Sequence, residues 1–165
     1  MKIKWQEVAE RLRREIAEYG QLLNLFEEQH QLILRNAPHR VLQSSHTIEA
    51  QIEVLGRERG LREETIAAFA TGLGQSPSAT LRSLLPFIEE MARPLFKALI
   101  TDVNLLAHRV RRDSRRNQRL LQCVVECHRE ILRRLRPDAF TKTYAADGRI
   151  SLAAVRSVPS IQTAG

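Results

Sequence analysis

Long apolar runs are missing from this sequence. No stretch approaches the roughly 20 consecutive apolar residues that a bilayer-spanning helix needs, so no membrane insertion is expected. The opening MKIKWQEVAE has lysines but no apolar segment behind them, which argues against a signal peptide and for a soluble, cytoplasmic protein. Aromatic residues make up only 5% of the chain, and they are scarce where its arginines cluster, so no base-stacking platform is visible. Cysteine is limited to Cys123 and Cys127. Four apart in a helical pattern, their Cβ directions run alongside each other and do not favour a disulfide. With His128 next door, metal binding is conceivable, but the usual zinc spacings and a second ligand pair are absent. The expectation is two buried free thiols and no metal site.

Chemistry is missing as well. The glycines at 56, 60, 72 and 74 match no phosphate-binding fingerprint. His30, His39, His46, His108 and His128 pair with no Cys or carboxylate at ligand spacing. Glu27–Glu28, Glu63–Glu64 and Glu89–Glu90 have the look of solvated helix faces. No catalytic residue and no cofactor is expected, and the chain is expected to bind rather than to catalyse.

What is present is helix-forming sequence. Leu, Ala, Glu, Gln and Arg dominate the 165 residues, enough for one core of packed helices. Trp5, Leu12, Tyr19, Phe26 and Ile33 recur every seven residues, with Val8, Ile16, Leu22 and Leu23 between them. This predicts a long amphipathic helix over about 3–36, ending before Pro38. Val41, Ile48 and Leu55, with Ile52 between, predict a second helix that frays at Gly56 and Gly60 and returns antiparallel to the first. A separate short helix is expected over about 61–71, then a Ser/Pro loop in which Ser78 caps a short or kinked helix interrupted by Pro86.

A long last helix is predicted from Pro94 to Arg136, on the order of 60 Å at ~1.5 Å per residue. One seam row is Phe96, Val103, Val110, Asn117, Val124 and Ile131; the other is Leu99, Leu106, Asp113, Leu120 and Cys127. Asp113 and Asn117 set a polar layer mid-seam that would fix register. A helix this long should outrun the core and leave one end less covered. Leu121, Val125 and Leu132 form an extra stripe outside the seam, either a groove for a partner helix or a thicker core.

The chain is basic, with a net charge of +7 and 22 arginines against four lysines. Ten arginines fall between Arg109 and Arg136. They read either as a solvated helix face or as a phosphate-binding one, so a basic nucleic-acid-binding protein using Arg109–Arg119 is the alternative function. Nucleic acid is not the expected partner. A coiled-coil oligomer built on the long seams is a third reading.

Beyond Pro137 the pattern changes. TKTYAADGRI, residues 141–150, places Tyr144 before the turn signal Asp147-Gly148, and scattered aliphatics follow. A turn and flexible tail are expected over 137–165, after a helical bundle over 1–136.

From Asn117 onward the residues resemble the C-terminal half of FlgN-type flagellar export chaperones. The matching features are an Asn followed by the Leu120-Leu121 pair, a stop at Arg136-Pro137, and the turn Tyr144-Ala145-Ala146-Asp147-Gly148. The resemblance is good over about 110–151 and only architectural over the first two helices; Ala145 stands where the family often has Gly. It implies an all-α cytosolic chaperone, an elongated antiparallel bundle with a long C-terminal helix and a flexible tail. Such a chaperone would hold the amphipathic terminal helices of the hook–filament junction proteins FlgK and FlgL and deliver them to the export gate. By the same resemblance, substrate helices would bind at Leu121, Val124, Val125, Leu132 and Leu135. Tyr144, with Asp147 and Gly148, would dock on the gate protein FlhA.

Overall fold

In a computed structural model, the chain is described over residues 4–135 and, for the backbone, over 140–144 and 150–154. Four α-helices come first: α1 Trp5–Leu34, α2 Pro38–Gly72, α3 Leu81–Leu84 and α4 Arg93–Leu135. Short 3-10 turns at Leu85–Phe87 and Glu90–Ala92 join α3 to α4, and two strands follow, β1 Phe140–Tyr144 and β2 Ile150–Ala154. The chain divides into two compact units, Met1–Gln118 and Arg119–Gly165, with the division inside α4.

In the first unit the seven-residue rhythm of α1 becomes the core. Leu12, Tyr19, Phe26 and Ile33 are all buried, and Trp5 is half-buried with its ring edge-on to Phe96 at 6.2 Å between centroids. Interleaved with them, Val8, Glu15, Leu22 and Gln29 form an equally buried second row. Ile48, Leu55, Phe69 and Ala70 of α2 and Phe96, Leu99 and Val103 of α4 complete the centre.

Helix α1 stops at a left-handed residue, Asn36 at φ 53°. The amide of Ala37 donates to the carbonyl of Leu32 at 3.2 Å, closing the last turn so that Pro38 can open α2. Helix α2 returns antiparallel: Gln51 Nε2 reaches Glu18 Oε2 at 2.6 Å, and Arg11 faces Glu58 at 3.6 Å. Helix α4 runs parallel to α1, because Trp5 meets Phe96 at one end and Asn117 bonds Phe26 at the other with the same offset along the chain.

Three expectations need correction. Helix α2 does not fray at Gly56 or break before 61; it is continuous to Gly72 and absorbs the predicted short helix. A glycine inside a helix costs ~1 kcal/mol against alanine, and burial of Leu55, Phe69 and Ala70 on either side outweighs it. The true stop is Gly74, at φ 70°, where the amide of Gln75 reaches the carbonyl of Ala70 at 2.9 Å. The cap of α3 is Thr80, whose hydroxyl accepts from the amide of Ser83 at 3.3 Å; Ser78 instead shares a hydrogen bond with Ser76 at 2.8 Å. Cys123 and Cys127 are free as expected but exposed rather than buried.

The bundle is all-α as read from the sequence. Beyond it, where a turn and tail were expected, β1 and β2 pair antiparallel, from Phe140 opposite Ala154 to Tyr144 opposite Ile150. FTKTY is rich in aromatic and β-branched residues, which fit a pleated ladder. Asp147 and Gly148, with the rest of 145–149, lie outside the described residues, as do 136–139 and 155–165.

Candidate functional site

Within the first unit three polar side chains, Glu15, Gln29 and Asn117, are buried, and two of them join the helices directly. Asn117, buried on α4, donates from Nδ2 to the Phe26 carbonyl at 2.7 Å and to Gln29 Oε1 at 3.2 Å. Its Oδ1 lies 3.2 Å from His30 Nδ1. Gln29, itself buried, passes the chain of bonds to Ser45 of α2 at 3.1 Å. The polar layer expected from the sequence is therefore built, with Asn117 at its centre and Asp113 at its margin, held by Arg112 at 3.0 Å.

A second buried polar group escaped sequence reasoning. Glu15 is wholly enclosed, with Arg62 Nη1 at 3.2 Å and Arg59 Nε at 3.9 Å. Neither carboxylate oxygen receives an aligned hydrogen bond. Burial pushes its pKa above the ordinary carboxylate range, and Arg62, then Arg59, oppose that rise without cancelling it. Tyr19, one turn on, is pushed up by the same burial and by the Glu15 charge. Counting by seven from Val8 lands on Glu15 and Gln29, so the signal was present in residues that an apolar-only pattern skips. A buried ion pair of this kind adds little stability but resists removal of one partner.

A cleft of about 620 Å³ opens between α1, α2 and α4, lined among others by Leu12, Ile66, Leu81, Ile100 and Val103. Arg62 also lines it, but its guanidinium is taken by Glu15 and, at 3.0 Å, by Glu63. None of the site residues expected from the sequence lines it.

Those residues lie in the second unit, on the last part of α4. Leu121 and Val124 are half-buried; Val125, Leu132 and Leu135 are exposed at 47%, 51% and 72%. Ile131, a seam residue by spacing, is exposed at 55%. In the first unit the seam residues Phe96, Leu99, Val103 and Asn117 are each under a tenth exposed. The polar residues of this part pair among themselves: Glu130 holds Arg133 and Arg134 at 3.0 Å each, and Glu126 holds Arg129 at 3.8 Å. His128 is tied to its own helix, Nδ1 lying 2.8 Å from the Val124 carbonyl oxygen. The result is an apolar surface bordered by charges already satisfied, suited to shape-driven contact with another apolar face. Tyr144 ends β1, its backbone opposite Ile150; Asp147 and Gly148 fall outside the described residues.

The arginine cluster is on the surface of α4. Arg112 pairs with Asp113 and Arg116 with Glu27, both at 3.0 Å. Glu27 is held below the ordinary carboxylate range by hydrogen bonds from Gln31 and Arg116. Among the described residues no group of three or more His, Cys, Asp or Glu gathers as metal ligands, and no helix is long and apolar enough to cross a membrane.

Compared with known proteins, the sequence matches one family model, described as FlgN protein, over residues 1–151. No curated protein and no solved structure matches it.

Proposed function

Since the chain belongs to the FlgN family of flagellar export chaperones, we propose that it holds the hook–filament junction proteins FlgK and FlgL in the cytoplasm and hands them to the export gate. The substrate contributes an amphipathic helix, which lays its apolar face along α4 at Leu121, Val124, Val125, Leu132 and Leu135. The export-gate protein FlhA receives Tyr144, with Asp147 and Gly148 shaping the segment after it. No bond is made or broken, and the protein is not an enzyme.

The observation that carries this reading is the exposure of aliphatic side chains on α4 beyond Asn117, on the same helix whose earlier seam is buried at Phe96, Leu99, Val103 and Asn117 and half-buried at Leu106, Val110 and Asp113. Contiguous exposed apolar surface rimmed by polar groups is the mark of a protein-binding site. Alignment of five aliphatic anchors on one helical face fits a helical partner better than a small molecule.

Titration calorimetry with purified FlgK and FlgL tests the proposal. A saturable complex that survives a rise from low to physiological salt supports it, because apolar contact is little affected by screening. No binding to either protein, with duplex RNA or DNA bound in a strongly salt-dependent manner through Arg109, Arg111, Arg115 and Arg119, would replace it with the nucleic-acid reading.

A further inference from the structure

We infer that the solvent face of α4 between Leu105 and Arg116 is a docking surface for an anionic phospholipid bilayer. The chain lies on such a surface without crossing it, since no helix among the described residues is long and apolar enough to span one.

The face is built by helical spacing. At roughly 100° per residue, Arg111, Arg115, Arg112, Arg116 and Arg109 follow one another round α4 over an arc of roughly 160°. That arc is centred opposite Val103 and Asn117, both buried in the bundle. All five arginines are exposed. Arg112 pairs with Asp113 and Arg116 with Glu27, whereas Arg109, Arg111 and Arg115 meet no carboxylate among the described residues.

Gathering like charges in this way works against the helix. Arg111 with Arg115, and Arg112 with Arg116, are like-charged pairs four apart, which repel on a helix surface. Helix α1 arranges its charges differently, setting Glu10 against Arg14 at 3.3 Å. A face that leaves three guanidinium groups uncompensated gains most from a partner carrying many negative charges side by side. That partner is extended rather than small. Sites for small molecules are concave, and side chains fanned out on a convex helix do not close around a single anion.

Nucleic acid and an anionic membrane are both extended polyanions, and two observations favour the membrane. No Trp, Tyr or Phe occurs between Phe96 and Phe140, so the face has no ring on which an unpaired base could stack. A leucine stands there instead. Leu105 lies one turn before Arg109 and two before Arg112, within the same arc, and is 55% exposed. The phosphates of a duplex offer it nothing, whereas the acyl boundary beneath a headgroup layer buries it. Arginine suits the rest of the face. Its guanidinium holds phosphate through paired hydrogen bonds while its methylene stem lies along apolar surface.

Sedimentation of the full chain with vesicles tests the inference. Vesicles of phosphatidylcholine mixed equally with phosphatidylglycerol are expected to carry the protein down, less so as salt rises. Vesicles of phosphatidylcholine alone are expected to leave it in solution. Changing Arg109, Arg111 and Arg115 together to Gln should weaken binding to the mixed vesicles roughly a hundredfold, about fivefold per arginine. Leu105→Ser should weaken it roughly threefold or more and leave affinity for duplex DNA unchanged. Both variants alter exposed positions and are checked for native helicity; the comparison of the two kinds of vesicle needs no variant. Equal binding to both kinds, or binding to neither, overturns the inference, as does an unchanged affinity of either variant for the mixed vesicles. Duplex DNA that displaces the native chain from the mixed vesicles, and is bound more tightly through the same three arginines, assigns the face to nucleic acid and overturns it as well. The proposed chaperone function stands under each of these outcomes, which leave FlgK binding to be measured separately.

Discussion

Asn117 of α4 donates a 2.7 Å hydrogen bond to the carbonyl oxygen of Phe26, a backbone group of α1 that is 91 residues away in sequence. A helical carbonyl already accepts from its own ladder, so this bond uses its second lone pair. Through Gln29 and Ser45 the same contact extends to α2, where the Ser45 hydroxyl donates to the Val41 carbonyl at 3.1 Å. One side chain thus ties three helices into a single register.

Replacing Asn117 with Ala should destabilise the protein by about 1–3 kcal/mol, because Gln29 is left buried with an unpaired oxygen. Urea unfolding followed by circular dichroism measures it. A change within a few tenths of a kcal/mol would mean that water or a rearranged Gln29 takes over the bonds.

Glu15 sets a pH dependence. Its folded pKa lies above its unfolded value because burial disfavours the charge. The folded state therefore holds this proton more tightly than the unfolded state does. The proton-linked contribution to stability is present below the unfolded pKa and is lost as pH rises through the folded one. Stability of the native protein relative to Glu15→Gln should fall as pH increases from the acidic side across that window. Parallel unfolding curves of the two proteins, one pH at a time, check the sign; a difference that grew with pH would mean that Arg62 and Arg59 win over burial. Glu27 contributes with opposite sign, its stabilisation being lost as pH falls through its lowered folded value, and it cancels in this comparison.

Gly56 and Gly60 sit inside α2 with room to spare, since a Cβ built on either would meet no atom within 4 Å. Each change to Ala should stabilise by about 0.5–1 kcal/mol, chiefly by removing freedom from the unfolded chain. A raised melting temperature is the expected readout, and a lowered one would show that flexibility at these positions relieves strain elsewhere in α2.

Tyr144 should separate holding from delivery. Tyr144→Ala is expected to leave FlgK affinity unchanged while weakening capture by FlhA and secretion in cells. Both its ring and its hydroxyl can seat in a receptor pocket. Equal loss of substrate binding and gate capture would place Tyr144 in the substrate face or the fold instead.

The helices were legible because burial and spacing agree. Every residue of the Leu12–Tyr19–Phe26–Ile33 row is buried, and the bounds of α1 and α4 fall within two residues of those expected. What was not legible depends on distant partners. Gly56 and Gly60 look like stops locally, and only the packing of Leu55 and Phe69 carries the helix through them. Glu15 and Gln29 occupy core positions with polar side chains, so a search for apolar residues misses them although their spacing is regular. The thiols were misjudged because the row containing Cys127 is buried at Leu99 but exposed at its far end. The cysteines lie at the end where a helix this long outruns its core. The ladder of β1 and β2 joins two stretches with no shared periodicity, and pairing of that kind is set by partner and turn rather than by either strand alone.

The central claim is that the apolar end of α4 is a binding face and not part of the core. Its most direct test is the double variant Leu121→Asp with Leu132→Asp, measured for helicity, thermal unfolding and FlgK affinity on one preparation. Each buried Leu in such a contact is worth ~1.5–3 kcal/mol, so the account predicts native helicity, a melting temperature near that of the unaltered protein, and no detectable FlgK complex. A variant that loses helicity and melts early would make this face core, and one that binds FlgK normally would place the substrate elsewhere.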